Sequence, residues 1–172
     1  MDYSGIKVLV MGLGLHGGGL ETARFLLSRG ALLTVTDLRD EKTLAPSIEQ
    51  LEAACGAIPG RPSVRYVLGK HETADFANAD MVIKNPGVRR DSPFLQAAKR
   101  IETDISLFLA ESPARLTAVT GTKGKSTTSS AIHWVLDQSN KKNFLPGKAN
   151  LGGNITVSPL VFLNDLKESD DY

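Results

Sequence analysis

Two short stretches of this chain carry the residue types that bind phosphate. The first to consider is Thr120-Gly121-Thr122-Lys123-Gly124-Lys125-Ser126-Thr127, which follows an apolar run and opens a helical pattern. Glycine turns let backbone N–H groups face an anion, a lysine neutralises its charge, and a serine hydroxyl is a hard oxygen ligand for Mg²⁺. On that chemistry Gly121, Thr122, Lys123, Gly124, Lys125, Ser126 and Thr127 line a phosphate site. Lys125 reaches the terminal phosphoryl oxygens and Ser126 takes the metal. The general G-x-x-x-x-G-K-[ST] loop needs glycine at position 119, where this chain has Val119; its turn is the shorter G-x-x-G-K-S, starting at Gly121. Helix capping by the Thr-Ser run after Lys125 is the plainer alternative.

The second stretch is Gly12-Leu13-Gly14-Leu15-His16-Gly17, a G-x-G-x-x-G pattern between an apolar strand and a helix. Its glycines permit a tight turn and close approach of backbone to a phosphate at the helix N-terminus. Asp37 closes the next strand, 25 residues after Gly12, about where an acidic residue meets a ribose hydroxyl. Arg39 shares that loop, and an acid–base pair holds a polar ring edge or a phosphate as readily as a ribose. The pattern suits a nucleotide or a nucleotide-sugar, and it also suits a glycine turn that serves only strand–helix packing. Gly17-Gly18-Gly19 costs helix stability of up to about 1 kcal/mol per residue relative to Ala, which predicts something bulky against the first turn. His16 reads first as a partly exposed loop residue.

Both loops need strands and helices to hold them, and the apolar pattern supplies these in alternation. Strands are predicted over 6–11, 31–36, 64–68, 80–84 and 116–120. Helices are predicted from Leu20 to Gly30, from Pro46 to Gly56, from Ser92 to Arg100, from Ile105 to Glu111 with Asp104 as its cap, from Lys125 to Gln138 and from Pro159 to Lys167. The stretch 143–154 reads as a loop around a short strand. Strands alternating with helices predict an α/β protein with a parallel, doubly wound sheet.

Composition sets the outer bounds. The 172 residues carry 20 basic and 19 acidic side chains. The split is 13 basic against 14 acidic before residue 113 and 7 against 5 after it, so neither half is a nucleic-acid-binding arm. No apolar stretch approaches a membrane span, and Met1 does not lead into a signal-type segment. A single cysteine, Cys55, excludes an intramolecular disulfide and a cysteine zinc cluster. A cytoplasmic protein is expected, with no nucleic-acid partner.

The short Gly121–Ser126 loop resembles the ATP site of the Mur ligase family. The likeness runs through the Gly12-Leu13-Gly14-Leu15 loop, Asp37 and Arg39, the Asn85-Pro86-Gly87-Val88 turn, Asp104-Ile105-Ser106-Leu107-Phe108 and Gly152-Gly153-Asn154-Ile155. It implies a Rossmann-like domain over 1–113 that holds the UDP part of the substrate. The start of a P-loop, ATP-binding α/β domain over 114–172 would follow. It further implies an ATP- and Mg²⁺-dependent ligase that joins D-glutamate to UDP-N-acetylmuramoyl-L-alanine through an acyl phosphate, in peptidoglycan biosynthesis, and that acts as a monomer. By position, Leu15, His16, Asp37, Arg39 and Gly87 would contact the uridine diphosphate, Asn154 the sugar part, and Lys125 would be the catalytic group. The chain departs from the family pattern at Lys123 (commonly Asn), His16 (commonly a small hydroxyl residue) and Thr156 (commonly Gly).

Members of the family continue with further metal-binding residues and an amino-acid-binding domain, where the D-glutamate site would lie. On this reading the 172 residues hold a whole substrate-anchoring domain and part of the ATP machinery, and do not turn over alone. Two other readings stand beside it. An NAD(P)-dependent oxidoreductase would use the Gly12 loop and Asp37 but leaves the Gly121–Ser126 loop unexplained. A non-catalytic nucleotide-binding module would use both loops for sensing or partner contact.

Overall fold

A computed structural model of the chain describes residues 1–15, 17–60, 62–152 and 158–171. Five parallel strands form its sheet: β1 (Lys7–Met11), β2 (Leu32–Asp37), β3 (Arg65–Leu68), β4 (Met81–Lys84) and β5 (Ile101–Glu102). They lie in the order β3-β2-β1-β4-β5, each pair parallel. The chain therefore winds outward from β1 to β3, returns to the other side of β1, and winds outward again. That reversal leaves a crevice beyond the carboxyl ends of β1 and β4, the usual ligand position in a doubly wound sheet. The predicted fold class is the one observed.

The helices are α1 (Gly18–Ser28), α2 (Glu41–Ala57), α3 (Thr73–Asn78), α4 (Asp104–Glu111) and α5 (Lys125–Lys141), with a short 3-10 helix at Pro93–Ala97. β1 is buried on both faces, as a central parallel strand must be. Val8 and Val10 point into a core with α1, α2 and α4, which includes Leu20, Leu26, Leu51 and Phe108. Leu9 and Met11 point the other way, onto Phe76, Val82 and Leu95. Period-two alternation thus supplies both layers from one strand.

Several local expectations change. The second helix starts at Glu41, not at Pro46: Asp40 accepts the Thr43 N–H at 2.9 Å as an N-cap, and Pro46 lies inside. The stretch after Ser92 is a five-residue 3-10 helix that stops at Ala97, and Arg100 lies next to β5. α4 takes its cap from Thr103, whose side chain and that of Ser106 satisfy each other's backbone N–H groups, with Asp104 as the first helical residue. Helix α3 carries no strong periodic signal and was not expected.

The largest difference lies after Pro113. Leu116 to Thr120 forms no strand, because no neighbouring strand pairs with it among the described residues; the preceding Arg115 makes an isolated bridge to Asp171, as does Ala149. The final stretch is not a helix to Lys167 but a single 3-10 turn, Pro159–Val161, followed by irregular backbone. Leu160, Leu163 and Leu166 from it enter the same core as α1 and β1. In the acidic stretch 168–171, Asp170 is 4% and Asp171 8% exposed. Asp170 accepts the N–H groups of Lys148 and Lys167, and Asp171 pairs with Arg115. No helix among the described residues is long and apolar enough to cross a membrane.

The glycine run answers to the backbone rather than to a bulky side chain. A Cβ on Gly19 would fall 2.2 Å from the Gly12 carbonyl oxygen and 2.4 Å from that of Leu13. Gly18 has open space at the same point. Gly19→Ala is expected to destabilise by about 1–3 kcal/mol through overpacking, and Gly18→Ala to be neutral or stabilising by up to about 1 kcal/mol. Denaturant melts of the two variants check this; equal effects would remove close approach as the reason for Gly19.

Candidate functional site

The cleft at the strand reversal has a volume of about 650 Å³. Its floor is the glycine loop, and every loop peptide with a described partner is held from a different element. Gly12 N–H donates to the Thr36 carbonyl at 2.8 Å. The Gly12 carbonyl accepts from Asn85 Nδ2 at 3.3 Å. Gly14 N–H donates to Asp37 Oδ2 at 3.2 Å, and its carbonyl accepts from the Ser47 hydroxyl of α2 at 2.9 Å. Gly12 takes a φ of 95°, which a side chain would strain, and a Cβ there would press on Asn85 Cβ at 3.2 Å.

Asp37 is 4% exposed and does two things with its carboxylate. Oδ2 holds Gly14, and Oδ1 accepts the Arg39 N–H at 3.0 Å. The Arg39 guanidinium stands 3.8 Å from Oδ2 and is half exposed toward the cleft. So the acid–base pair read from the sequence is a real pair, and its acid also fixes the glycine loop.

The opposite wall is the Asn85–Val88 turn. Asn85 Oδ1 accepts the Gly87 N–H at 3.1 Å, and Val88 N–H returns to the Asn85 carbonyl at 2.9 Å. Lys84, only 9% exposed at the end of β4, donates to the carbonyls of Asn85 at 3.1 Å and Val88 at 2.6 Å. A buried ammonium is costly unless it is hydrogen-bonded, and here its bonds close the turn from beneath.

Of the residues expected to contact a nucleotide, Leu15, Asp37, Arg39 and Gly87 all line this one cleft. Leu15 and the neighbouring Leu38 present apolar surface to it, at 45% and 67% exposure. His16 and Asn154 lie outside the described residues, as does Thr156. Four more lining residues escaped attention as individual candidates: His71, Asn85, Asp104 and Ser158. The Ser158 hydroxyl meets Asp104 Oδ2 at 3.3 Å, so the late part of the chain completes the rim.

His71 is fixed from several sides. Its Nδ1 is 2.7 Å from the Thr36 hydroxyl, and its ring meets those of Phe94 and Phe76 edge-on at 5.2 and 6.0 Å. Burial pushes its pKa below the ordinary histidine value, against an opposing pull from Asp37.

The Gly121–Thr127 loop does not join the cleft lining. It stands exposed at the start of α5, which buries none of its residues. Gly124 caps that helix in the left-handed conformation, φ 79°, with no side-chain cap. The first-turn N–H groups of Lys125, Ser126 and Thr127 therefore lack intrahelical acceptors. Lys125 Nζ folds back over the loop and donates to the Gly121 carbonyl at 2.7 Å. These donors fit a phosphate, and the Ser126 hydroxyl beside them fits a hard cation.

The Mur ligase MurD-like N-terminal domain matches residues 6–106. The UDP-N-acetylmuramoylalanine–D-glutamate ligase of Borreliella burgdorferi (strain ZS7) is 50% identical over 165 residues, covering 96% of this chain and 34% of that protein. The ligase of the same name from Treponema pallidum (strain Nichols) is 50% identical over 164 residues, covering 92% of this chain and 28% of its own length. The chain thus spans about a third of the length of the curated relatives it matches. Among solved structures, a pseudomurein peptide ligase type C from Methanothermus fervidus matches with a TM-score of 0.49 and 21% identity, over 96% of this chain and 32% of that one.

The His71 shift sets a pH dependence. An unfolded histidine titrates near 6.5, and the folded one lower, so the unfolded chain binds the proton more readily. The stability tied to neutral His71 is present above that value and is lost as pH falls through the folded pKa. Urea midpoints at about pH 7.5 and 5.5 should therefore fall further for the wild type than for His71→Gln. An equal fall in both proteins would rule this out.

Proposed function

The chain belongs to the Mur ligase family through its MurD-like N-terminal domain, and on that premise we propose that it is the substrate-anchoring part of a ligase that adds D-glutamate to UDP-N-acetylmuramoyl-L-alanine. The observation that carries this reading is the meeting of Leu15, Asp37, Arg39 and Gly87 in one cleft at the strand reversal. Residues from three separate segments converge where a nucleotide is expected in such a sheet. Leu15 and Leu38 offer apolar surface to a flat base. Arg39 offers a cation, and the N-terminus of α1 offers N–H groups to the diphosphate. Asn154 is assigned to the sugar part of the substrate and His16 to the uridine diphosphate, both by family position.

Residues 114–172 are proposed to begin the ATP-binding region. Bound ATP with Mg²⁺ supplies the phosphoryl group that activates the substrate carboxylate. The chain's own part is charge neutralisation and positioning. Gly121 to Thr127 present N–H and hydroxyl donors, Lys125 trades the Gly121 carbonyl for phosphate oxygens, and Ser126 orients the metal. Reaction between anions is slowed by repulsion, and a lysine held at the phosphates relieves it. The setting is cytoplasmic and the protein monomeric on this reading.

Melting experiments test the anchoring role. UDP-N-acetylmuramoyl-L-alanine at 100 times its dissociation constant should add about 2.7 kcal/mol, or roughly 5–10 °C in melting temperature. ATP–Mg²⁺ should add little. A shift with NAD and none with the UDP substrate would overturn the proposal. In the full-length enzyme, Lys125→Ala should cost roughly 100-fold or more in turnover; unchanged activity would remove Lys125 from the chemistry. The 172-residue chain should release no phosphate from ATP in a D-glutamate-dependent assay.

A further inference from the structure

We infer that His71 is a specificity-determining residue at the nucleoside end of the cleft, its Nε2 accepting a hydrogen bond from an O–H or N–H donor of the bound uridine. The inference rests on the reading of this cleft as a UDP site. Its own support is the way the imidazole is held.

Thr36 Oγ1 lies 3.1 Å from the Lys70 carbonyl and 2.7 Å from His71 Nδ1. Both contacts are hydrogen bonds at once only when the single hydroxyl proton goes to the carbonyl, which can only accept. The threonine oxygen then accepts, and the proton between it and the ring belongs to Nδ1. A neutral imidazole with Nδ1–H has a bare Nε2. Nε2 makes no hydrogen bond among the described residues, and His71 lines the cleft. Thr36 is fully buried, and edge-to-face contacts with Phe94 and Phe76 hold the ring. The result is a fixed, unspent acceptor beside Asp37, both of whose oxygens already take backbone N–H bonds.

The ligand's own chemistry selects the partner. An ionised diphosphate offers no proton, so a bare nitrogen gains nothing from it. The donors on UDP are the two ribose hydroxyls and the imide N–H. Position agrees: His71 follows β3, two strands from the glycine loop and the α1 N-terminus that suit phosphate.

The test is a binding cycle on the 172-residue chain, using UDP and its 2′-deoxy, 3′-deoxy and N3-methyl analogues against wild type and His71→Phe. The phenylalanine keeps the ring contacts and removes the acceptor. Wild type should bind one analogue roughly 3- to 10-fold more weakly than UDP, and that analogue names the donor. His71→Phe should bind UDP weaker by a similar factor and lose that one preference. A variant that binds UDP like wild type, or keeps the full preference, overturns the proposal. A wild-type chain that does not bind UDP at all overturns the UDP reading itself, and this inference with it. Should His71→Phe not fold, nitrogen NMR of the wild-type imidazole decides: a bare Nε2 whose resonance moves on UDP saturation supports the assignment, and an unmoved or protonated Nε2 overturns it.

Discussion

Gly14 is gripped from both sides, its N–H by the Asp37 carboxylate and its carbonyl by the Ser47 hydroxyl. Asp37 ends β2 and Ser47 sits on α2, so one residue ties together the first strand's exit loop, the second strand and the second helix. A buried carboxylate is stabilised only by such donors, and both of its oxygens have one. The floor of the cleft is therefore set by an acid that spends part of its capacity on the protein. Asp37 also holds Arg39 nearby, which places a cation at the rim without a separate support. Loss of Asp37 would alter the floor and the rim together, so its structural and ligand-binding roles are not separable by a single substitution.

The two phosphate-suited loops solve their backbone problem differently. The Gly12 loop is enclosed, with partners from β2, α2 and the Asn85 turn. The Gly121 loop is exposed and leans on its own residues, chiefly the Lys125 bond to Gly121. Enclosure gives the first loop a fixed shape before any ligand arrives, which lowers the ordering cost of binding. The second must break an internal bond to use its lysine.

Much of this was legible in the sequence because it is encoded locally. The strand-ending glycines, Asp37 and the Asn-Pro-Gly turn each announce a backbone geometry within a few residues. Apolar alternation and spacing gave the parallel sheet. What was not legible depends on distant partners. His71 gains its place from Thr36, 35 residues away, and from two phenylalanines on separate elements. Lys84 is only the last residue of a strand in the sequence, and its bonds to the following turn come from the fold. Leu116 to Thr120 has the composition of a strand, but a strand exists only against a neighbour, and none pairs with it here. Pro46 looked like a helix start because proline is favoured there, whereas Asp40 had already capped the helix six residues earlier.

The return of the late segment has an entropic side. The chain leaves the sheet unit at Ala114, whose side chain is in the core, carries the Gly121 loop and α5, and re-enters the same core with Leu160, Leu163 and Leu166. The Gly121 loop thus rides on an excursion fastened at both ends to one body. Closing a stretch of chain at both ends restricts the volume its middle can sample, so less conformational entropy is left to lose when the Gly121 loop is ordered against a ligand.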